Sequence, residues 1–177
     1  MTKKQTIIAI CLVLVLAFGY FVFRRPETLV VIGNKSDGCQ NLRIEETQKQ
    51  AQAIENNLPS YASTTKDIMD KSTEGGQQTD YTAGTAKVLV RQVFYGETGK
   101  SEDSFFFKNG HVFFVQVKES RYAAPIFEDP SGKVQSVSVQ EYYLDDNQNV
   151  CAVFNGKNQE PITPELGGSV HNLILGL

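Results

Sequence analysis

Two histidines and three cysteines are all that 177 residues offer of the side chains that most often bind transition metals or drive nucleophilic catalysis. His111 and His171 lie far apart, and with Cys39 and Cys151 they make no recognisable ligand spacing. Ser-His-Asp or Cys-His chemistry would have to be built on His111, which falls at a hairpin turn, or on His171, which falls in an irregular tail. Neither stands beside a nucleophile, so no catalytic residue, metal ligand set or cofactor is assigned. Glu45/Glu46 and Asp145/Asp146 are sequence neighbours, and adjacent carboxylates on a helix or strand need not converge on a substrate.

Basic charge is also in short supply outside one segment. Setting aside Lys3, Lys4, Arg24 and Arg25 leaves thirteen cations against twenty acids, about minus seven beyond Arg25. That balance argues against nucleic acid or anionic lipid as the ligand of this part. Two near-motifs fail on their missing residues. Gly99-Lys100-Ser101 resembles the end of a phosphate-binding loop, but Phe94 occupies the first glycine position and the following SEDSFFF reads as a strand, not a helix. Asp145-x-Asn147-x-Asn149 resembles the start of a calcium loop but lacks its central glycine and closing glutamate, since Gly156 stands at the twelfth position. A hairpin loop and a polar turn account for them.

What the chain does have is an uncharged apolar run, residues 7–23, bracketed by the four cations. As a helix it would measure about 25 Å, close to a ~30 Å hydrocarbon core. It is read as a single N-terminal transmembrane anchor within residues 1–25, with the short N-terminal tail inside. The alternative is a secretory signal cleaved at Ala17-Phe18-Gly19, which would leave YFVF on the mature protein and release it as a secreted or periplasmic form. Cys11 follows Ile10 where a lipobox needs a small residue, so it is read as an apolar residue of the span. Residues 26–38 form a linker with one apolar patch, Leu29 to Ile32. Residues 39–177 form one extracytoplasmic domain. In an oxidising compartment Cys39 and Cys151 are expected to form a disulfide; the alternative is two separate buried thiols.

The domain is expected to be α+β, with one or two helices packed on an antiparallel meander of about five or six strands. Ile44, Thr47, Ala51, Ile54 and Leu58 recur at helical spacing, and Pro59 closes that helix. Tyr61, Ile68 and Met69 suggest a second, shorter helix before Gly75-Gly76. From Gln77 onward β-branched and aromatic residues dominate. Lys87 to Tyr95 reads as a strand and GETGKSED as the loop after it. Asn109-Gly110, between SFFFK and HVFFV, predicts a type I′ hairpin in which Phe106 opposes Phe113 and Phe105 opposes Phe114. Val134 to Leu144 and Val150 to Phe154 predict another, separated from the first by a loop bearing Pro125 and Pro130. The prolines and Gly167-Gly168 of residues 161–177 argue against a long regular element.

The Phe-rich hairpin has two apolar faces: Phe105, Phe107, Val112 and Phe114 on one, Phe106, Phe113 and Val115 on the other. Either the helix and the C-terminal segment cover them, or a partner or second copy docks on one. Phe106, Phe113 and Val115, with Glu97, Lys100, Arg121 and Tyr122 from the neighbouring loops, are the candidate interaction surface. Tyr122, Tyr142 and Tyr143 with the hairpin phenylalanines offer either core or an apolar groove for a peptide or glycan.

Ser72-Thr73-Glu74-Gly75-Gly76, Tyr95-Gly96-Glu97-Thr98-Gly99-Lys100, Phe106-Phe107-Lys108-Asn109-Gly110 and Glu141-Tyr142-Tyr143-Leu144 together resemble a pattern in small exported or membrane-anchored bacterial proteins of unassigned function. The resemblance covers about residues 40–155. It departs at Phe105-Phe106-Phe107, where the pattern has tyrosines. It implies a location at a bacterial inner membrane with the C-terminal domain periplasmic, and it carries no catalytic residues. The expected function is a non-enzymatic module binding an envelope protein, peptide or glycan. The alternatives are a hydrolase or ligand-modifying enzyme, in which His111 would have to meet Glu97 or Asp103, and a tethered assembly factor.

Overall fold

β-branched and aromatic residues recur at strand spacing from Ala62 onward, and hydrogen bonding between successive segments turns them into one antiparallel sheet. The computed structural model describes residues 37–69, 72 and 74–177. The run at 7–23 and the Leu29 to Ile32 patch lie outside them; among the described residues no helix is long and apolar enough to cross a membrane. A 3-10 turn, Asp37–Asn41, leads into helix α1 (Ile44–Asn56), and a second such turn, Leu58–Ser60, leads out of it. The strands are β1 (Ala62–Ile68), β2 (Gly76–Ala83), β3 (Ala86–Gly96), β4 (Gly99–Lys108), β5 (His111–Tyr122), β6 (Val134–Leu144), β7 (Val150–Asn155) and β8 (Asn158–Glu160). Helix α2 (Pro164–Leu175) follows.

The domain is therefore mainly β, with eight strands in sequence order and two small helices, and the expected α+β balance with five or six strands is corrected. One added strand is β1, where a second helix was expected. Its ASTTKDI sequence is poor in helix formers and rich in hydroxyls, and it pairs along its whole length with β2, Thr65 and Thr79 exchanging a 2.9 Å hydroxyl bond. The other is β8, three residues long, which caps β7. The C-terminal segment is also corrected. Thr163 accepts a hydrogen bond from the Leu166 N–H, Pro164 starts the helix, and Val170 with Leu166, Leu173 and Ile174 packs on the sheet. That burial offsets the roughly 1 kcal/mol that each of Gly167 and Gly168 costs inside a helix.

The GETGKSED loop shortens to a two-residue turn, Glu97-Thr98, because Gly99 already pairs with Gly96 and Lys100 to Asp103 continue in β4. The next turn is as expected: Asn109 and Gly110 both have positive φ, 52° and 81°, and Lys108 opposes His111. The register beyond it is not. A β-bulge at Phe113 makes Phe106 oppose Phe114 and Phe105 oppose Val115. The bulge sorts the aromatics onto two faces. Phe106 and Phe114 join Leu89, Tyr143 and Ala152 under α1, whose Ala51 and Ile54 close that cluster. Phe105, Val112 and Val115 join Val90, Tyr142 and Val153 under α2.

Both apolar faces are thus covered from within the chain. Phe106 is 2% exposed and Val115 is fully buried, so neither is available as an interaction residue; Phe113 is half-buried at the rim of the α1-covered cluster. Tyr142 and Tyr143 are core residues, which removes them from an exposed aromatic groove. Cys39 and Cys151 are joined as a disulfide, Cα atoms 5.3 Å apart, which ties the entry of the domain to β7.

Candidate functional site

Alternation along the strands and the observed register bring two rungs of side chains to one end of the sheet. Phe94, Ser101, Glu119 and Ser138 stand opposite one another across β3 to β6; the next rung outward is Gly96, Gly99, Arg121 and Ser136. The outer rung has no side chain on two of its four strands, so the end of the sheet opens into a cavity of about 480 Å³. Gly99 has no alternative, because a Cβ there would lie 2.3 Å from the Ser120 carbonyl oxygen. Lys100, Tyr95 and Ser120 also line the space, and Ser120 is only 6% exposed.

The rim is set by backbone hydrogen bonds between three segments. Thr98 C=O accepts from Tyr122 N–H at 2.8 Å, and Glu97 C=O accepts from Ile126 N–H at 2.8 Å, so the β3–β4 turn is stitched to the β5–β6 connection. Ala123 N–H donates to Lys133 C=O at 2.8 Å and closes the base of that connection. On the far side the Ser72 hydroxyl donates to the Tyr95 carbonyl. Such stitching removes loop freedom that a ligand would otherwise have to freeze.

The electrostatics of the cavity are unusual for this acidic domain. Ion pairs among the described residues use Arg43, Lys87 and Arg91 as cations. Lys100 and Arg121 line the cavity without such a partner, beside a single lining carboxylate, Glu119. Ser136 and Ser138 share the Arg121 face, the Ser101 hydroxyl on that face donates to Asp103 at 2.7 Å, and Lys100 and Ser120 belong to the intervening rung, on the opposite face. The sheet end therefore offers one cation on each face, with the Ser136 and Ser138 hydroxyls beside Arg121, a combination suited to an anionic group that also carries hydrogen-bond acceptors.

A second groove, about 500 Å³, lies between α1 and the sheet over Phe106 and Phe114. Several of its polar groups tie the helix to the sheet. Gln48 donates to the Tyr143 hydroxyl at 2.7 Å, that hydroxyl donates to Glu141 at 2.8 Å, and Gln116 donates to the other Glu141 oxygen at 3.3 Å. Burial first, and then Glu141, push the Tyr143 phenol well above the ordinary tyrosine range. Burial alone would pull the Arg91 guanidinium down, but its hydrogen bond to Glu55 overrides this and holds it above its usual value. These groups fasten the helix to the sheet.

Of the expected site residues, Glu97, Lys100, Arg121 and Tyr122 are brought together at the sheet end, while Phe106, Phe113 and Val115 lie in or against the core. His111 does not approach Glu97. It pairs with Lys108 at one end of β4, and Glu97 lies just beyond the other end, about 30 Å away at ~3.3 Å per strand residue. Asp103, five residues from Lys108 along the same strand, is buried and about 17 Å from that end. Cys39, Asp145 and Cys151 bring ligand-type atoms within 4.8 Å of one another, but the two sulfurs are bonded to each other. Asp145 accepts from the Asn147 and Asn149 N–H groups and from the Asn149 amide, which is the polar turn expected of DDNQN.

Sequence reasoning missed Ser136 and Ser138. The signal was their alternation with Val137 and Val139 in an uncharged stretch, VQSVSV, of a chain that is 21% charged. Comparison of the chain with protein-family models, with curated proteins and with solved structures finds no match in any of the three.

Proposed function

We propose that the domain is a membrane-tethered extracytoplasmic binding module, and that its ligand engages the cavity at the end of β3 to β6. The observation that carries this reading is a hydroxyl-bearing space with a prefastened rim, lined by Arg121 on one face and Lys100 on the other, cations without an ion-pair partner among the described residues. The location rests on the apolar run at 7–23 and the resemblance to exported bacterial proteins, and the Cys39–Cys151 bond supports an oxidising compartment. Cleavage after Gly19 would leave the same module soluble in that compartment.

The test is photo-crosslinking of the full-length protein in its native membrane. A photoreactive residue at position 136 captures a discrete species, the double variant K100A/R121A loses it, and the same probe at position 106 captures nothing. Equal capture from both positions, or capture indifferent to the two cations, overturns the assignment of the cavity as the binding site.

A further inference from the structure

β6 is eleven residues long and β7 only six, and this mismatch leaves part of the sheet without a neighbour. β7 pairs with Gln140 through Leu144 and then turns away at Gly156, whose φ is 59°. Val134 and Ser136 through Val139 are paired to β5 on one side, with Gln135 bulged between them, and no strand of the described residues pairs with them on the other. Val134 through Ser138 are all exposed, Val134 at 45% and Val137 at 51%.

Which backbone groups point into the open side follows from two hydrogen bonds. Val139 C=O accepts from Gly156 N–H at 2.9 Å, so Val139 directs its backbone groups away from β5. Tyr122 N–H, on β5, donates to Thr98 beside β4, so Arg121 and Glu119 direct theirs toward β6, where they oppose Ser136 and Ser138. Both observations give the same parity. Ser136 and Ser138 are spent on the β5 ladder, and Val137 aims its N–H and C=O into the open side.

Natural sheets usually blunt such an edge with charge, proline or cover. Here the stretch is VQSVSV, uncharged and half β-branched, and its one protective device is a bulge at Gln135 that limits the flat part to Ser136 through Val139. Along the same flank runs the cavity with Lys100 and Arg121, of which Ser136 and Ser138 are walls.

We propose that this edge accepts an extended peptide as an added strand in line with β7, with an acidic side chain of the peptide on the Ser136/Ser138 face reaching Arg121 and an apolar one on the opposite face beside Val137. On that face Arg121 stands opposite Ser136 and Glu119 opposite Ser138, so the acidic side chain is placed at the Ser136 rung, and this local charge selects the occupant. A second copy of the chain pairing edge to edge would present its own uncharged VQSVSV strand, with no acid to reach Arg121, and would set one domain of about minus seven against another. Main-chain pairing would supply affinity and the two faces would supply selectivity, the general pattern of strand addition. The inference rests on the cavity being the binding site and adds the class of ligand.

The probe is a fluorescein-labelled, end-capped octapeptide of alternating Glu and Val, titrated into the full-length protein in detergent micelles and read by fluorescence anisotropy. Saturable binding is expected, weakened at least tenfold in R121A and strengthened in E119Q, because Glu119 stands on the same face one rung from Arg121. V137P removes the one N–H central to the open side while leaving the β5 ladder intact, so it is expected to abolish binding with an unchanged melting temperature. The same peptide N-methylated at alternate residues blocks pairing without altering the protein, and one of the two methylation phases is expected to abolish binding. Equal binding by V137P and by both methylated peptides overturns strand addition; if R121A still weakens that binding, the cavity assignment survives. Absence of any binding, or self-association that V137P abolishes while the peptide leaves it unaffected, also overturns the proposal.

Discussion

Along β6 the residues from Gln140 to Leu144 lie between β5 and β7, and Tyr142, Tyr143 and Leu144 sink to a few per cent exposure; Val134 to Ser138, paired to the same β5, stay exposed. Composition alone does not separate the halves sharply, since VQSVSV carries three valines and QEYYL two tyrosines and a leucine. The neighbour does. Where β7 and the two helices supply a second side, side chains become core; where β7 ends, the same strand is left with an unsatisfied backbone edge beside a charged cavity. Burial in this domain is set by the length of the adjoining strand as much as by the residues themselves.

The largest way to break the comparison is to empty the buried half. Tyr143→Ala removes a fully buried ring that contacts Phe114 and Phe154 at centroid distances of 5.0 and 5.6 Å, and is expected to cost about 4 kcal/mol in urea unfolding. Next is the disulfide, which anchors β7 beside that half. Replacing Cys39 and Cys151 by Ser releases a closure across 112 residues and is expected to cost roughly 3 kcal/mol, with amide protection lost first in β7 and the adjoining part of β6.

A third test uses pH. The Tyr143 phenol binds its proton more tightly in the folded chain than in the unfolded one, so its contribution is complete below the ordinary tyrosine pKa of about 10 and is lost as pH rises above that value. Urea midpoints are expected to fall above about pH 10, and the fall is expected to be smaller in Tyr143→Phe. A uniform alkaline loss in both proteins would remove Tyr143 as its cause. The smallest effect belongs to the open half: Val137→Thr changes an exposed side chain on an edge and is expected to shift stability by less than about 0.5 kcal/mol, within the scatter of replicate melts.

Much of this division was legible in the residues. The I′ turn at Asn109-Gly110, the helical face from Ile44 to Leu58 and the strand limits of the Val134 hairpin follow from local chemistry, and the unequal lengths of β6 and β7 were already present in those limits. The bulge at Phe113 was not, because nothing in SFFFKNGHVFFV says which phenylalanine is the extra one; that is decided by packing against Tyr143 on one face and Tyr142 on the other. β1 was misread because three apolar residues at loose helical spacing outweighed a run of hydroxyls that pairs only once β2 is in place. In the candidate site, Lys100 and Arg121 could be placed on neighbouring segments from sequence. Their meeting with Ser136 and Ser138 depends on the β4–β5–β6 register, a long-range property.

The most direct measurement is residue-resolved amide hydrogen exchange on the full-length protein without ligand. If β6 is open along its first half, Val137 exchanges near the rate of an unstructured amide while Ser136 and Ser138, bonded to β5, and Tyr142 and Tyr143, bonded within the core, are protected by orders of magnitude. Protection of Val137 equal to that of Tyr143 would contradict the account, because it would mean that the edge is already occupied.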